Sequence, residues 1–283
     1  MAIKYSILPT FLVIGVGRSG TSWIYEVLRA HHEICMALGT KETLFFDREY
    51  HRGVRWYSQF FVNCQNARAV GEVSNSYMFG ENVPARIKSL LPEVLLICCL
   101  RNPIERMQSV YFYRKRSGTI KGDINEALKN HSELITDNFY WTKLKMFTSL
   151  FDRNQIKILF YDDLRENPEE FIKDLYRTVG VADTVRPHLT RQRINVSEEA
   201  RLPILGTIGK KAALFLRQAG LYSLLDYLKR NSVLRSVILR PIPDEEKKII
   251  SEDLHKKLIT IFENEVREIA KFTGRNLDHW LKV

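Results

Sequence analysis

Phe11-Leu12-Val13-Ile14-Gly15-Val16-Gly17-Arg18-Ser19-Gly20-Thr21-Ser22-Trp23 is the stretch that decides the fold. Phe11–Ile14 is apolar without alternation, as a strand buried on both faces requires. The glycines that follow let the backbone turn tightly and approach a ligand. A helix predicted over 21–31 then aims free N–H groups at an anion. Three ligand readings fit this turn, beside the plain one in which a strand–helix turn merely needs glycine. Gly15, Gly17 and Gly20 spell the dinucleotide pattern G-x-G-x-x-G, with Glu42 about 20 residues on. Gly15 and Gly20 also have Walker-loop spacing, but Thr21 stands where that loop requires lysine. In the third reading the turn cradles a phosphosulfate, with charge from Arg18 and hydroxyl donors from Ser19, Thr21 and Ser22.

Outward from this turn, apolar runs alternate with helical patterns. Strands are predicted over 34–38, 69–73, 94–100 and 156–161. Helices are predicted over 83–91, 103–116, 137–150 and 168–179, and 53–61 reads as helical or turn-rich. Pro84 and Pro103 fall in first turns, and Gly180 stops the helix before it. Such alternation argues an α/β protein, a central parallel sheet flanked by helices on both faces. Beyond about residue 185 no strand is predicted. Asp244–Phe272 spaces its apolar residues as a long amphipathic helix that packs back on the body, giving a helical C-terminal region. Gln192–Gly209 is the most loop-like stretch and a candidate lid. Without repeats or a long linker, 1–283 reads as a single domain. Its α/β nucleotide-binding core is 1–185 and its helical cover 186–283.

Composition adds bounds. Apolar residues make up 45% and charged residues 27%, which excludes a disordered or low-complexity chain. Lys and Arg outnumber Asp and Glu 43 to 33, a net charge of +10 that predicts an anionic partner. Cys35, Cys64, Cys98 and Cys99 are too sparse for a disulfide framework and have no zinc-like spacing with His. They read as core fillers in a reducing compartment. No apolar run approaches the ~20 residues of a membrane span. Pro9 breaks the signal-like start, so a cytoplasmic location is expected.

Arg101-Asn102-Pro103-Ile104-Glu105-Arg106-Met107-Gln108-Ser109 follows the strongest predicted strand. Ligands of open α/β sheets bind at the carboxyl ends of strands. A triphosphatase wants an acidic Mg²⁺ ligand there; Arg101 instead suits direct contact with a phosphate. Taken singly, Arg101 and Ser109 read equally well as ordinary surface residues. Paired with the glycine turn, they suit a nucleotide with phosphates on both its 5′ and 3′ positions.

With these motifs in hand, the chain resembles the sulfotransferase family that uses 3′-phosphoadenosine 5′-phosphosulfate (PAPS). Gly17–Trp23 resembles its 5′-phosphosulfate loop, P-K-x-G-T-[ST]-x-L. Arg101 and Ser109, eight apart, resemble its 3′-phosphate site. Lys41-Glu42-Thr43-Leu44-Phe45-Phe46-Asp47, with Tyr50, Gly53, Trp56-Tyr57 and Phe60-Phe61, resembles the heparan sulfate branch. Ile156–Leu164 with Glu166-Asn167-Pro168 resembles the family's late strand and turn. The likeness covers about residues 10–180. Gly17 and Arg18 depart from the usual proline and lysine. Arg18 keeps the charge but cannot give up a proton. The chain looks like a soluble, bacterial-type member.

The resemblance implies a P-loop-like fold and a sulfotransferase that moves the sulfuryl group of PAPS to a hydroxyl or amine, with no metal. The acceptor is expected to be a carbohydrate or glycan. Gly17, Arg18, Ser19, Gly20, Thr21 and Ser22 would hold the 5′-phosphosulfate, and Arg18 would also stabilise charge on the bridging oxygen. Arg101 and Ser109 would fix the 3′-phosphate. Trp23 lines either the adenine pocket or the core. Glu42 would be the catalytic base, with Asp47 a weaker candidate; without the resemblance Glu42 reads as an exposed acid beside Lys41. Arg48, Arg52, Arg55 and Arg114-Lys115-Arg116, beside Tyr111, Phe112 and Tyr113, make either a cleft for an acidic acceptor or ordinary solvated charge. Asn195 and Arg201, in the candidate lid, would touch nucleotide or acceptor. The competing functions are a P-loop kinase-like phosphotransferase, disfavoured by Thr21 and Arg101, and a non-catalytic binder of an anionic polymer. Nucleic acid is not an expected partner.

Overall fold

The computed structural model describes residues 7–186, 189–190, 198–200, 239–241 and 250–283, with isolated positions between 212 and 228. Arg201, Asn195 and all but three residues of the candidate lid lie outside the described residues.

The chain packs as two compact units. The first comprises the described residues of Met1–Leu100 and Lys145–Asn195. It holds a five-stranded, all-parallel sheet in the order β2-β3-β1-β4-β5. The strands are β1 Phe11–Gly15, β2 Ile34–Met36, β3 Ala69–Val73, β4 Leu95–Leu100 and β5 Ile156–Phe160. Every residue of β1 is buried, as its unbroken apolar run requires. Phe11 and Val13 look into a core with Ile24 and Leu28 of α1 (Thr21–Ala30) and Phe171 and Leu175 of a later helix, Pro168–Thr178. Towards the opposite face, the Cys98 thiol lies 3.5 Å from the Met78 sulfur. Gly71 exists for space: a Cβ there would fall 2.3 Å from the Phe11 ring. β1 leads through α1 to the β2 edge, whereas neighbouring β4 leads to β5 on the other edge. Strand order therefore reverses at the carboxyl end of β1, the place where open sheets bind ligands.

Between these strands run α2 (Gly53–Ser58) and α3 (Val83–Leu90). Cys35 in β2 and Cys64 are joined in a disulfide with Cα atoms 5.5 Å apart. This corrects the expectation of four core-filling thiols. The chain returns to β2 after α2, where Leu38 N–H donates to Phe60 O at 2.9 Å. A separation of 29 residues hides that approach in the sequence. Cys98 and Cys99 are buried free thiols, as expected.

The second unit comprises the described residues of Arg101–Leu144 and Val196–Val283. It contains α4 (Pro103–Arg116), α5 (Ile124–Asn130), α6 (Glu133–Thr136) and the start of α7 (Tyr140–Thr148). After α8 (Tyr161–Glu166) and α9 (Pro168–Thr178) of the first unit, the last helix is α10, Glu252–Thr273. Phe262 of α10 meets Phe139 edge-on at 6.0 Å, and Glu265 accepts Thr142 N–H at 3.0 Å. The expectation of no late strand is also corrected: β6 (Glu198–Ala200) pairs antiparallel with β7 (Leu239–Pro241). Strands of three residues, one of them Glu-Glu-Ala, carry too little pattern to be read. Among the described residues no helix is long and apolar enough to cross a membrane.

Candidate active site

The loop after β1 places Gly17, Arg18, Ser19 and Gly20 at the start of α1. Gly20, the N-cap, sits at φ 80°, and no side chain caps the helix. A Cβ on Gly20 would come 2.6 Å from Leu164 Cδ2, so the loop needs glycine for conformation and for space. Arg18 holds φ 73°. That left-handed backbone costs a residue with a Cβ on the order of 1 kcal/mol. Ser19 is fully buried, and its hydroxyl has no hydrogen-bond partner among the described residues. An uncapped helix start beside an orphaned buried hydroxyl is suited to an anion. Trp23 turns the other way: it is buried in the core, edge-on to Phe171 at 5.9 Å.

Lys41 reaches this loop from the segment after β2. Its Nζ donates to Thr21 Oγ1 and to Ser22 Oγ, each at 3.3 Å, and lies 3.6 Å from Glu42 Oε1. Glu42 is a quarter exposed, and Asn75 Nδ2 donates to its Oε1 at 2.9 Å. Asn75 also borders the loop, since a Cβ on Gly17 would sit 3.7 Å from that of Asn75. Thus Gly17, Thr21, Ser22, Lys41, Glu42 and Asn75 share one neighbourhood. Leu44, at φ 59°, is with Arg18 one of two non-glycine residues at positive φ among those described. Both strained residues flank Glu42 or the anion loop, where such strain concentrates in functional sites.

Beneath Glu42 lies a fully buried carboxyl, Glu72 of β3. Thr43 Oγ1 donates to Glu72 Oε2 at 2.7 Å and pairs with Tyr77 Oη at 3.2 Å. Burial pushes the Glu72 carboxyl up to about 7, against the hydrogen bonds that favour its charged form. Burial likewise holds the Tyr57 and Tyr77 hydroxyls well above the ordinary tyrosine value. Asp47 lies outside this network; its backbone carbonyl and that of Phe46 accept from Arg86 Nη1 at 3.0 and 2.9 Å.

In the second unit, Asn102 Oδ1 caps α4 by accepting Ile104 N–H at 2.9 Å and Glu105 N–H at 3.3 Å. Arg101 precedes this cap. Its Nε and Nη2 bind Glu105 Oε2 at 3.0 and 2.8 Å, and its carbonyl accepts from Tyr140 Oη at 2.9 Å. Ser109 lies two turns along α4, half-buried. Arg114 is paired with Glu133, and Lys115 lies over the Tyr111 ring at 5.4 Å. Arg52 binds Glu49 at 2.9 Å and lies over Trp56 at 4.8 Å, whereas Arg48 and Arg55 are exposed.

Sequence reasoning missed the contacts of Lys41, and missed Asn75 and Glu72 altogether. Glu72 alone had a signal: a lone acid in an otherwise apolar five-residue strand, Ala-Val-Gly-Glu-Val.

A parallel sheet with a glycine turn at its switch point, and a carboxylate beside that turn, defines a P-loop-like α/β protein suited to holding an anionic group next to a base. The chain belongs to the sulfotransferase family: the model of the sulfotransferase domain matches residues 8–202. Among curated proteins it is similar to a bifunctional heparan sulfate N-deacetylase/N-sulfotransferase 1 of Xenopus laevis, 27% identical over 203 residues. That match covers 64% of this chain and 23% of the relative, so the chain spans under a quarter of that protein's length. A sulfotransferase from Alicyclobacillus acidocaldarius shares the fold with a TM-score of 0.70 at 19% identity, over 98% of this chain and all of that one. A mouse sulfotransferase complexed with PAP shares it at 0.52 and 12%, over 94% and 88% of the two chains.

Proposed function

We propose that this chain transfers the sulfuryl group of PAPS to a hydroxyl or amine of a glycan, and that its two units work as one sulfotransferase domain. The observation that carries the proposal is Lys41. It binds the loop hydroxyls of Thr21 and Ser22 and lies within an ion-pair distance of Glu42. A carboxylate thereby stands beside an anion cradle. The heparan sulfate N-sulfotransferase relatives support the glycan acceptor, and the PAP-bound neighbour supports the nucleotide.

Arg18, the N–H groups opening α1 and the hydroxyls of Ser19, Thr21 and Ser22 hold the 5′-phosphosulfate. Arg101 and Ser109 hold the 3′-phosphate. PAPS supplies the sulfuryl group; the protein positions it and stabilises charge. Glu42, oriented by Asn75, takes the proton of the acceptor. Arg18 cannot release a proton, but the Lys41 ammonium can, and it stands at the loop to neutralise the leaving phosphate oxygen.

Location is read differently from the sequence. A disulfide persists in an oxidising milieu, so the Cys35–Cys64 bond favours an oxidising compartment over the cytoplasm.

The test is thermal shift with PAPS, PAP, ATP–Mg²⁺ and NAD, followed by sulfate transfer to an N-desulfated heparan oligosaccharide. Stabilisation by PAPS and PAP alone is expected, with Glu42→Gln lowering kcat about 10²- to 10⁴-fold while PAP binding holds. A shift with ATP–Mg²⁺ only overturns the proposal, and full turnover by E42Q removes Glu42 from its role.

A further inference from the structure

Glu72 is the most deeply buried carboxyl among the described residues, and the transfer scheme leaves it without a task. It occupies β3 opposite Leu12 of β1. The groups that face it are Thr43 from the Lys41–Phe46 segment, Tyr57 from α2, Tyr77 after β3 and, more remotely, the charge of Glu42. Thr43 Oγ1 donates to it at 2.7 Å and also accepts Phe45 N–H at 3.2 Å. Tyr77 Oη accepts Phe46 N–H at 3.3 Å. Val73, the next residue of β3, donates its N–H to Lys41 O at 3.4 Å. Backbone on both sides of Glu42 is therefore tied to the end of β3, and the link on the Thr43 side closes on the Glu72 carboxyl.

We propose that Glu72 is a positioning residue for sulfuryl transfer, clamping Thr43 so that Glu42 is presented beside the Lys41-bound loop. The proposal rests on Glu42 being the base. It also makes the clamp sensitive to proton binding. The charge of Glu42 is among the causes that raise the Glu72 carboxyl, so loss of the Glu72 proton sets two negative charges near one another. With the Glu72 carboxyl pushed up to about 7 by burial, that change falls in the neutral range.

The experiment compares Glu72→Gln and Thr43→Val with the native chain and with E42Q. PAP binding reports an intact nucleotide site. The pH profile of kcat uses PAPS and the N-desulfated oligosaccharide, and the position of the Glu42 carboxyl ¹³C resonance, assigned by its loss in E42Q, is followed between pH 6 and pH 8 as a reporter of Glu72 ionisation. E72Q is expected to keep PAP affinity and the KM for PAPS within about twofold. Its kcat should fall about tenfold at pH 8, as for loss of one well-placed hydrogen bond. It should also lose the inflection near neutrality, both in kcat and in the Glu42 resonance. T43V breaks the same link from the other side, and the same fall in kcat is expected should E72Q not fold. A folded E72Q with native kcat, native profile and a native Glu42 resonance overturns the proposal. An inactive E42Q beside such an E72Q leaves the base reading standing, whereas turnover by E42Q removes that reading itself. If the oligosaccharide is no acceptor, the Glu42 resonance decides alone.

Discussion

A single proton separates two states of Glu72, and the fold feels which is present. Folding raises its carboxyl from 4.5 to about 7, so the folded chain binds the proton more tightly than the unfolded one. Stability therefore falls as pH rises through that window, by on the order of 3 kcal/mol. Urea unfolding at pH 4.5 and 8 should show a smaller fall in Glu72→Gln than in the native chain; equal falls would refute the assignment. Lys41→Met should weaken PAPS binding about tenfold by calorimetry, because a charge-assisted grip on the loop is lost. Unchanged affinity would place the Lys41 charge outside the binding. The residues legible beforehand were those carried by local motifs, Arg18 to Ser22 and Glu42. Lys41 Nζ meets the loop across 19 and 20 residues, and Thr43 meets Glu72 across 29. Such meetings depend on which strands become neighbours, and no local pattern records them.

Elements were legible where backbone chemistry marks their ends. α4 begins at Pro103 because Asn102 caps it and proline suits the first helical position. α10 begins after Ser251, whose Oγ accepts Leu254 N–H at 3.3 Å, and ends at Gly274 with φ 70°. Of the stretch predicted ahead of it, 250–251 are not helical and 244–249 lie outside the described residues. α5 and α6 went unread because they are short and lie where no apolar period develops. Removing the α4 cap with Asn102→Ala should cost about 1 kcal/mol in urea unfolding, and Asn102→Asp should retain most of it. Equal midpoints for the alanine variant and the native chain would deny the cap its role.

At the scale of the molecule, the five-stranded parallel sheet was foreseen because unbroken apolar runs alternate with helices. The disulfide was not foreseen, because pairing of cysteines is settled by the return of the chain. Reducing Cys35–Cys64 should lower stability by roughly 3 to 4 kcal/mol, seen as a drop in Tm on adding reductant to the native chain that Cys35→Ser/Cys64→Ser does not show. No reductant effect on the native chain would mean the bond is absent in solution. Closed between residues 35 and 64, the backbone forms a covalent ring that carries Lys41, Glu42 and the aromatic residues from Phe45 to Phe61. A protease that nicks this ring once leaves both fragments joined, so the segment that bears Lys41 and Glu42 stays tethered at both of its ends to β2 after the peptide chain itself has been cut.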